Sequence, residues 1–502
     1  MRILYINWSP LQKGAEIGGG VNVYTQSIAV EMIKKGHDVY SLISGLTYNY
    51  AGGTYLRKAE TYKEIINYEV INGLNVAPGF FNFHSPDKDI HEAGIDNIFS
   101  QFISSIQPDV IHFNNIEGFS ANCIKIAKSF GARVIYSLHN YHPLCNQIGL
   151  LYQNREICHD FKEGTRCLDC ITPPPQNLET RQRKIKYYTD NITEGYLLWN
   201  ALKSLHMGLK VLKIGVQVIR SIIESKKERK VLLDTPIDSI ISKVNEANIE
   251  DSKPLGLPYK ERRSGMIEAI NHADCILAVS DWVNQLYSSF GINQSRLHTC
   301  HIGSAIADIA LSSSYKYTPP DKDINKPLKI IYLGVSDPHK GLPFFLETLN
   351  VMDLEALKKM DLHIYARDYR KLNELFDPLM DKLNRLVLHD GYKYSAIPGI
   401  LKNMDIGIVP PIWWDNAPQV VFEMLAMKIP VLGANIGGIP DFVQHMRNGL
   451  LFEPGNSTDL INKLTDITTN PQLVNQLRMG ITPMKTTVQH ADELEKYYHK
   501  PA

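Results

Sequence analysis

The 502-residue sequence has no excess of charge of either sign, because Lys plus Arg and Asp plus Glu both total 53. No net field draws nucleic acid to such a chain, and an anionic partner has to be met by a local patch. No stretch of 18 or more apolar residues occurs, so a membrane-spanning helix is not expected. The opening MRILYINWSP lacks a long apolar core and a small-residue cleavage site, and reads as a first strand rather than a signal peptide. Cysteine is sparse, seven in all. An odd number without a secretion signal points to a reducing cytoplasm and to reduced or metal-bound thiols.

What is present is α/β patterning, repeated. MRILYINWSP runs into a Gly-rich loop and then an apolar-periodic segment with Val23, Ile28, Val30 and Ile33 that ends at Gly36, a βαβ unit. Further strands read at 109–115, 133–139 and 275–280. A second series reads at 328–334, 361–367, 384–391, 405–411 and 429–434. The strands at 109–115, 133–139 and 275–280 each end in polar residues, so ligand groups are expected at the C-terminal edges of a parallel sheet. The polar, Pro-containing stretch 313–327 reads as a linker. The expected layout is an N-terminal Rossmann-like domain over 1–312, a C-terminal one over 328–485, and a final helix over 486–502 packing back on the first. A mostly helical insertion over 180–262 interrupts the first half. In it Lys203, His206, Lys210, Lys213, Gln217, Arg220, Glu224 and Lys227 recur at steps of three and four, one narrow and mainly basic stripe. Such a helix suits an anionic membrane surface or a lipid-linked acceptor; an insertion helix packed on the domain with a wet basic edge is the plainer reading.

The densest chemistry lies in WWDNAPQVVFEMLAM, 413–427. Pro418 restricts Ala417 and is expected in the first turn of a helix, with Asp415 just ahead of it and Glu423 inside. The amides between them suit an anion, and the two carboxylates suit neutral hydroxyls on either side of it. Hydroxyl, diphosphate and hydroxyl together describe a nucleotide sugar. With EMLAM, IPVLGANIGGIPD and NGLLFEPG following, this segment resembles glycosyltransferase family 4, retaining enzymes of GT-B fold. The resemblance implies that Asp415 contacts the donor sugar and Glu423 the ribose, with Asn416, Ala417 and Pro418 in the donor site. The usual first acid is Glu, one methylene longer than Asp415.

The resemblance extends to YLGVSDPHKGLPFFLETL, 332–349, where Lys340 matches the lysine that stabilises the departing diphosphate. Five residues earlier, where the family commonly has Arg, stands Val335; Arg367 or His339 is a candidate substitute. In the first half the run Gly18-Gly19-Gly20 lacks the dinucleotide spacing, and its match in the family implies that Gly19 and Gly20 face donor and acceptor. His139, in YSLHNYHPLC, matches the family's histidine near the donor sugar and reads with Lys340 and Asp415 as a catalytic residue. His112 reads as structural or acceptor-side. Cys145, Cys158, Cys167 and Cys170 have the ligand count of a structural Zn site, with independent buried thiols or a redox pair as alternatives.

The expected function is hexose transfer, with retention, from a UDP- or GDP-linked sugar to a saccharide acceptor, lipid-linked in surface polysaccharide synthesis. The resemblance implies no cofactor for catalysis, and nucleic acid is not an expected partner. The expected location is the cytoplasm, peripheral to the inner face of the plasma membrane. A non-catalytic nucleotide-sugar-binding or scaffold protein is the alternative, suggested by Val335 and Asp415, and an epimerase is a second.

Overall fold

In a computed structural model of the chain, the described residues are 1–48, 53–74, 85–170, 256–312, 321–323 and 325–499. Most of the 180–262 insertion, with the basic stripe from Lys203 to Lys227, lies outside them. So do 313–320 and residue 324 of the linker and the last three residues.

Two sheets carry the described chain. The first is built from β1 (Arg2–Asn7), β2 (Asp38–Ser44), β3 (Tyr55–Lys58), β4 (Ile66–Ile71), β5 (Val110–Phe113) and β6 (Arg133–Leu138). A small hairpin of β7 (Leu151–Tyr152) and β8 (Glu156–Ile157) intervenes before β9 (Cys275–Ala278) and β10 (Leu297–Thr299) complete it. The order is β10-β9-β6-β5-β1-β2-β4-β3, parallel except for β3 against β4. The second sheet holds β11 (Leu328–Val335), β12 (Met360–Arg367), β13 (Arg385–His389), β14 (Ile406–Val409), β15 (Val431–Ala434) and β16 (Gly449–Phe452). Its order is β13-β12-β11-β14-β15-β16, with every pairing parallel. Strands β5, β9 and β14 are buried along their whole length, as expected for strands covered by helices on both faces. The architecture is α/β with two Rossmann-like domains facing across a cleft.

In both sheets the strand order reverses beside the first strand, between β1 and β5 and between β11 and β14. Loops leaving the C-terminal edge diverge there and open a crevice. The two crevices face each other, which places Gly18–Gly20, His139, Lys340 and Asp415 around one space.

The first domain continues through a helix at Leu257–Ile270. It therefore resumes before residue 262, the boundary expected from sequence. Arg262 is the physical reason: it is buried and donates from Nε to Asp89 Oδ2 at 2.5 Å, with a second nitrogen 3.1 Å from His142 Nε2. A guanidinium so placed belongs to the domain core, not to an appended segment.

The last helix, Thr487–Tyr498, starts in a reciprocal capping box between Thr486 and Gln489. It lies on the first domain. Tyr498 is buried there, its hydroxyl 2.7 Å from His112 Nδ1 and 3.1 Å from the Tyr5 hydroxyl. His112 Nε2 lies 2.8 Å from Ser137 Oγ, so both its nitrogens are engaged in the core. Burial pushes its pKa well below the ordinary histidine value. Tyr498→Phe is expected to cost about 1–3 kcal/mol, because it leaves a buried imidazole nitrogen unpaired. Chemical denaturation measures it, and an unchanged midpoint would contradict this role.

Candidate functional site

The cleft between the domains has a volume of about 1020 Å³. Its first-domain wall includes Lys13, Gly18, Gly19, Gly20, Tyr24 and His139. Its second-domain wall includes Lys340, Arg367, Trp413, Asp415, Asn416, Ala417, Pro418 and Glu423. All the catalytic and donor-site residues expected from sequence therefore line one space.

The loop after β14 carries most of them. Pro418 is the N-cap of the helix Gln419–Ala426, with φ −65° and ψ 117°, one position ahead of its expected place in the first turn. Its carbonyl accepts from Val421 N at 3.0 Å. Glycines hold the loop there. Gly437 has φ 57°, and a Cβ on it would strike the backbone of Asp415. Gly438 donates its N–H to the Asp415 carbonyl at 2.8 Å. The Gly437-Gly438 pair of IPVLGANIGGIPD thus supports the acid loop from behind.

Asn416 joins the two walls. Its Nδ2 donates to the His139 carbonyl at 2.7 Å, and its own carbonyl accepts from Ser280 Oγ at 2.7 Å. Gln419 Nε2 adds a bond to the Gly20 carbonyl at 2.7 Å. Gly19 and Gly20 are the first two residues of the helix Gly19–Lys34, not part of the loop that the sequence suggests, and Gly18 is its cap, with φ 98°. A Cβ on Gly20 would come to 3.0 Å from the Gln419 side chain, so the bare glycine permits the close approach of the second domain.

Lys340 follows β11 in a short turn, and its Nζ lies 2.6 Å from Asp415 Oδ2. The cation and the first acid are thus paired with each other. Val335 pairs in register with Arg367 on β12, so the position lacking an arginine has one on the adjacent strand, exposed to the cleft. His339 does not serve as the substitute cation: burial, with the Lys340 charge beside it, lowers its pKa and keeps it neutral.

Four cleft residues hold a buried polar atom with no partner among the described residues: His139 Nε2, Trp413 Nε1, Asn416 Oδ1 and Glu423 Oε2. Buried polar groups are nearly always paired, so these four atoms are open to partners that enter the cleft, water or ligand. Desolvation lowers the His139 pKa to about 3, making it neutral across the physiological range. Desolvation also raises Glu423 to about 8. Glu423 is thus a neutral acid near pH 7, able to donate as well as accept, where the sequence suggested an acceptor only. Tyr24, whose ring centroid lies 4.6 Å from that of His139, and Trp413 were not singled out from sequence; an aromatic residue in a Gly-rich helix or a WW pair carries no local signal of facing a cleft.

Cys145, Cys158, Cys167 and Cys170 line a second, small pocket with Arg263. Among the described residues, groups with ligand atoms within 4.8 Å of one another are Cys300–His490–Glu493 and Asp281–His301–Asp441, and the four cysteines form none. The Zn expectation is therefore not supported by the thiol geometry, although folding does bring all four cysteines to one pocket. The Arg263 guanidinium sits over Phe161 and brings a positive charge into the thiol pocket, and burial raises the pKa of Cys158, Cys167 and Cys170, favouring neutral thiols.

The Glu423 carboxyl gives a pH test. Its folded pKa lies above its unfolded value of 4.5, so the folded state binds the extra proton, and stability falls as pH rises from about 4.5 to 8. Glu423→Gln, uncharged throughout, is expected to melt progressively higher relative to the parent protein between pH 5 and pH 9. A difference that shrinks with rising pH in calorimetry would contradict this.

Residues 327–470 match the family described as glycosyl transferases group 1. An uncharacterized glycosyltransferase of Methanocaldococcus jannaschii is 22% identical over 143 residues, which is 28% of this chain and 39% of that protein. The chain thus spans well under half the length of that relative. Among solved structures, sucrose-phosphate synthase from Thermosynechococcus elongatus is similar at TM-score 0.57 and 12% identity, over 99% of this chain and 98% of that one. The lipopolysaccharide outer core galactosyltransferase WaaB gives 0.54 and 12%, over 99% of both chains. Anabaena HepE in complex with UDP gives 0.53 and 11%, also over 99% of both. These likenesses show the shared two-domain fold, and the match to the glycosyl transferases group 1 family lies in the second domain, over residues 327–470.

Proposed function

We propose that this protein is a retaining glycosyltransferase that moves a hexose from a nucleoside diphosphate sugar to a saccharide hydroxyl. The observation that carries the reading is the convergence of Lys340, Arg367, Asp415, Asn416 and Glu423 with His139 and Gly18–Gly20 on one cleft. The cations suit the diphosphate, Glu423 the ribose hydroxyls and Asp415 a sugar hydroxyl. HepE has been crystallised with UDP and UDP-glucose, which makes a uridine donor the first to try.

In the proposed reaction the anomeric C–O bond to the diphosphate breaks, and the leaving oxygen takes the electron pair. The acceptor hydroxyl adds to the same face and passes its proton to that oxygen, so no separate carboxylate base is required. Lys340 and Arg367 stabilise the charge that develops on the leaving group. Neutral His139 orients a hydroxyl at the reacting centre. Arg367, in register with Val335, also weakens the non-catalytic alternative, since it restores a second cation at that edge.

The acceptor is proposed to be lipid-linked, in surface polysaccharide synthesis, with the chain in the cytoplasm and peripheral to an anionic membrane. The support is the basic stripe Lys203, Lys210, Lys213 and Arg220 in the sequence. Among the described residues no helix is long and apolar enough to cross a membrane. Flotation with anionic liposomes should fail when these four residues become Glu; unchanged flotation would discard the membrane contact.

For the reaction itself, the protein is incubated with UDP- and GDP-sugars and saccharide acceptors, and nucleotide release is followed. Acceptor-dependent release is expected. Lys340→Met should lower the rate roughly 10²- to 10³-fold, the scale of removing a charge-stabilising donor. Arg367→Met should weaken donor binding roughly tenfold or more. Nucleotide binding without turnover of any donor would favour the non-catalytic alternative.

A further inference from the structure

Lys340 has a second neighbour besides Asp415. Its ammonium lies 4.8 Å from the centroid of the Trp413 ring, within cation–π range. The indole is itself fixed from both sides of the cleft. The His339 ring meets it edge-on at 4.9 Å and 76°, and Tyr141 of the first domain at 6.3 Å and 86°. Tyr141 is held in turn by the Trp282 Nε1–H, which donates to its hydroxyl at 3.1 Å.

Under the proposed function the Lys340–Asp415 pair cannot stay as it is. A diphosphate carries more negative charge than one carboxylate and draws the ammonium away, leaving the acid for the donor sugar. A lysine on a flexible four-carbon stem then loses the partner that aimed it. The indole face is not consumed in this exchange. It offers electrostatic attraction without a hydrogen-bond acceptor that the donor must displace.

Building on the donor-site reading, we propose that Trp413 is a positioning residue for Lys340: its indole face keeps the ammonium at the diphosphate position while Asp415 exchanges the lysine for the donor sugar. Tyr141 and His339 keep the indole edge in place, so the aim of the lysine depends on the opposite domain as well as on its own loop.

The test is a double-mutant cycle on nucleoside diphosphate affinity, measured calorimetrically with UDP and GDP on the full chain. Trp413→Leu should weaken binding of the accepted nucleotide roughly three- to thirtyfold, the range a cation–π contact supplies. Trp413→Phe, which keeps a smaller aromatic face, should recover part of that loss. In a Lys340→Met background, Trp413→Leu should cause a clearly smaller loss, because the indole face acts through the lysine and only the Nε1–H could still meet the ligand directly. An equal loss with and without Lys340, or no loss at all, would overturn the role. If Leu at 413 lowers the melting temperature sharply, the same cycle run with Phe decides it. Parent protein that binds neither nucleotide contradicts the donor-site reading and this role with it, whereas normal binding with an additive cycle contradicts this role alone.

Discussion

Asn416 is the residue on which the arrangement of the cleft depends. Its side chain holds the His139 carbonyl and its carbonyl holds Ser280, so one residue of the acid loop reaches two strand ends of the opposite domain. Asp415 precedes it directly and is carried to the same boundary. The loop cannot retreat, because Gly437 and Gly438 pack against the backbone of Asp415 and Asn416 with no room for a Cβ. The geometry of the acid, the imidazole and the lysine is therefore set by backbone and amide contacts more than by the reacting side chains.

This construction leaves those side chains available. His139, Trp413, Asn416 and Glu423 each keep a polar atom without a partner among the described residues, which costs stability unless water or a ligand completes it. The Lys340–Asp415 pair is the complementary case, two charges that neutralise each other until something more charged enters. Burial holds His139 and Glu423 uncharged, so under the proposed function the cleft would present neutral hydrogen-bonding groups to hydroxyls and leave its cations for phosphate. The C-terminal helix contributes at a distance, since His490 Nε2 lies 3.0 Å from the hydroxyl of Tyr24, whose ring packs beside His139.

Much of this was legible in the sequence because local rules and fold agreed. Apolar strand runs such as DIGIVPP and LKIIYLG, each followed by a polar loop, correspond to β14 and β11, and Pro418 marks the helix start to within one position. The acids were visible because their type and spacing around a helix start suit hydroxyl and phosphate chemistry, and the lysine because its segment resembles the family's donor-phosphate segment. Short strands such as β10, β3 and β16 gave too little periodicity to read. The side-chain environment was hidden altogether: the Lys340–Asp415 pair spans 75 residues, the Arg367–Val335 register depends on strand pairing, and the elevated pKa of Glu423 depends on burial. The four cysteines show a partial case: folding brings them to one small pocket, but they are not among the groups whose ligand atoms lie within 4.8 Å of one another.

The most direct measurement is a crystal structure of the protein with a nucleoside diphosphate sugar that it binds. The account predicts the diphosphate against Lys340 and Arg367, the ribose on Glu423, and Asp415 parted from Lys340 and bonded to a sugar hydroxyl. A nucleotide bound elsewhere, or bound in the cleft with the Lys340–Asp415 pair intact and the diphosphate facing away from it, would contradict the account.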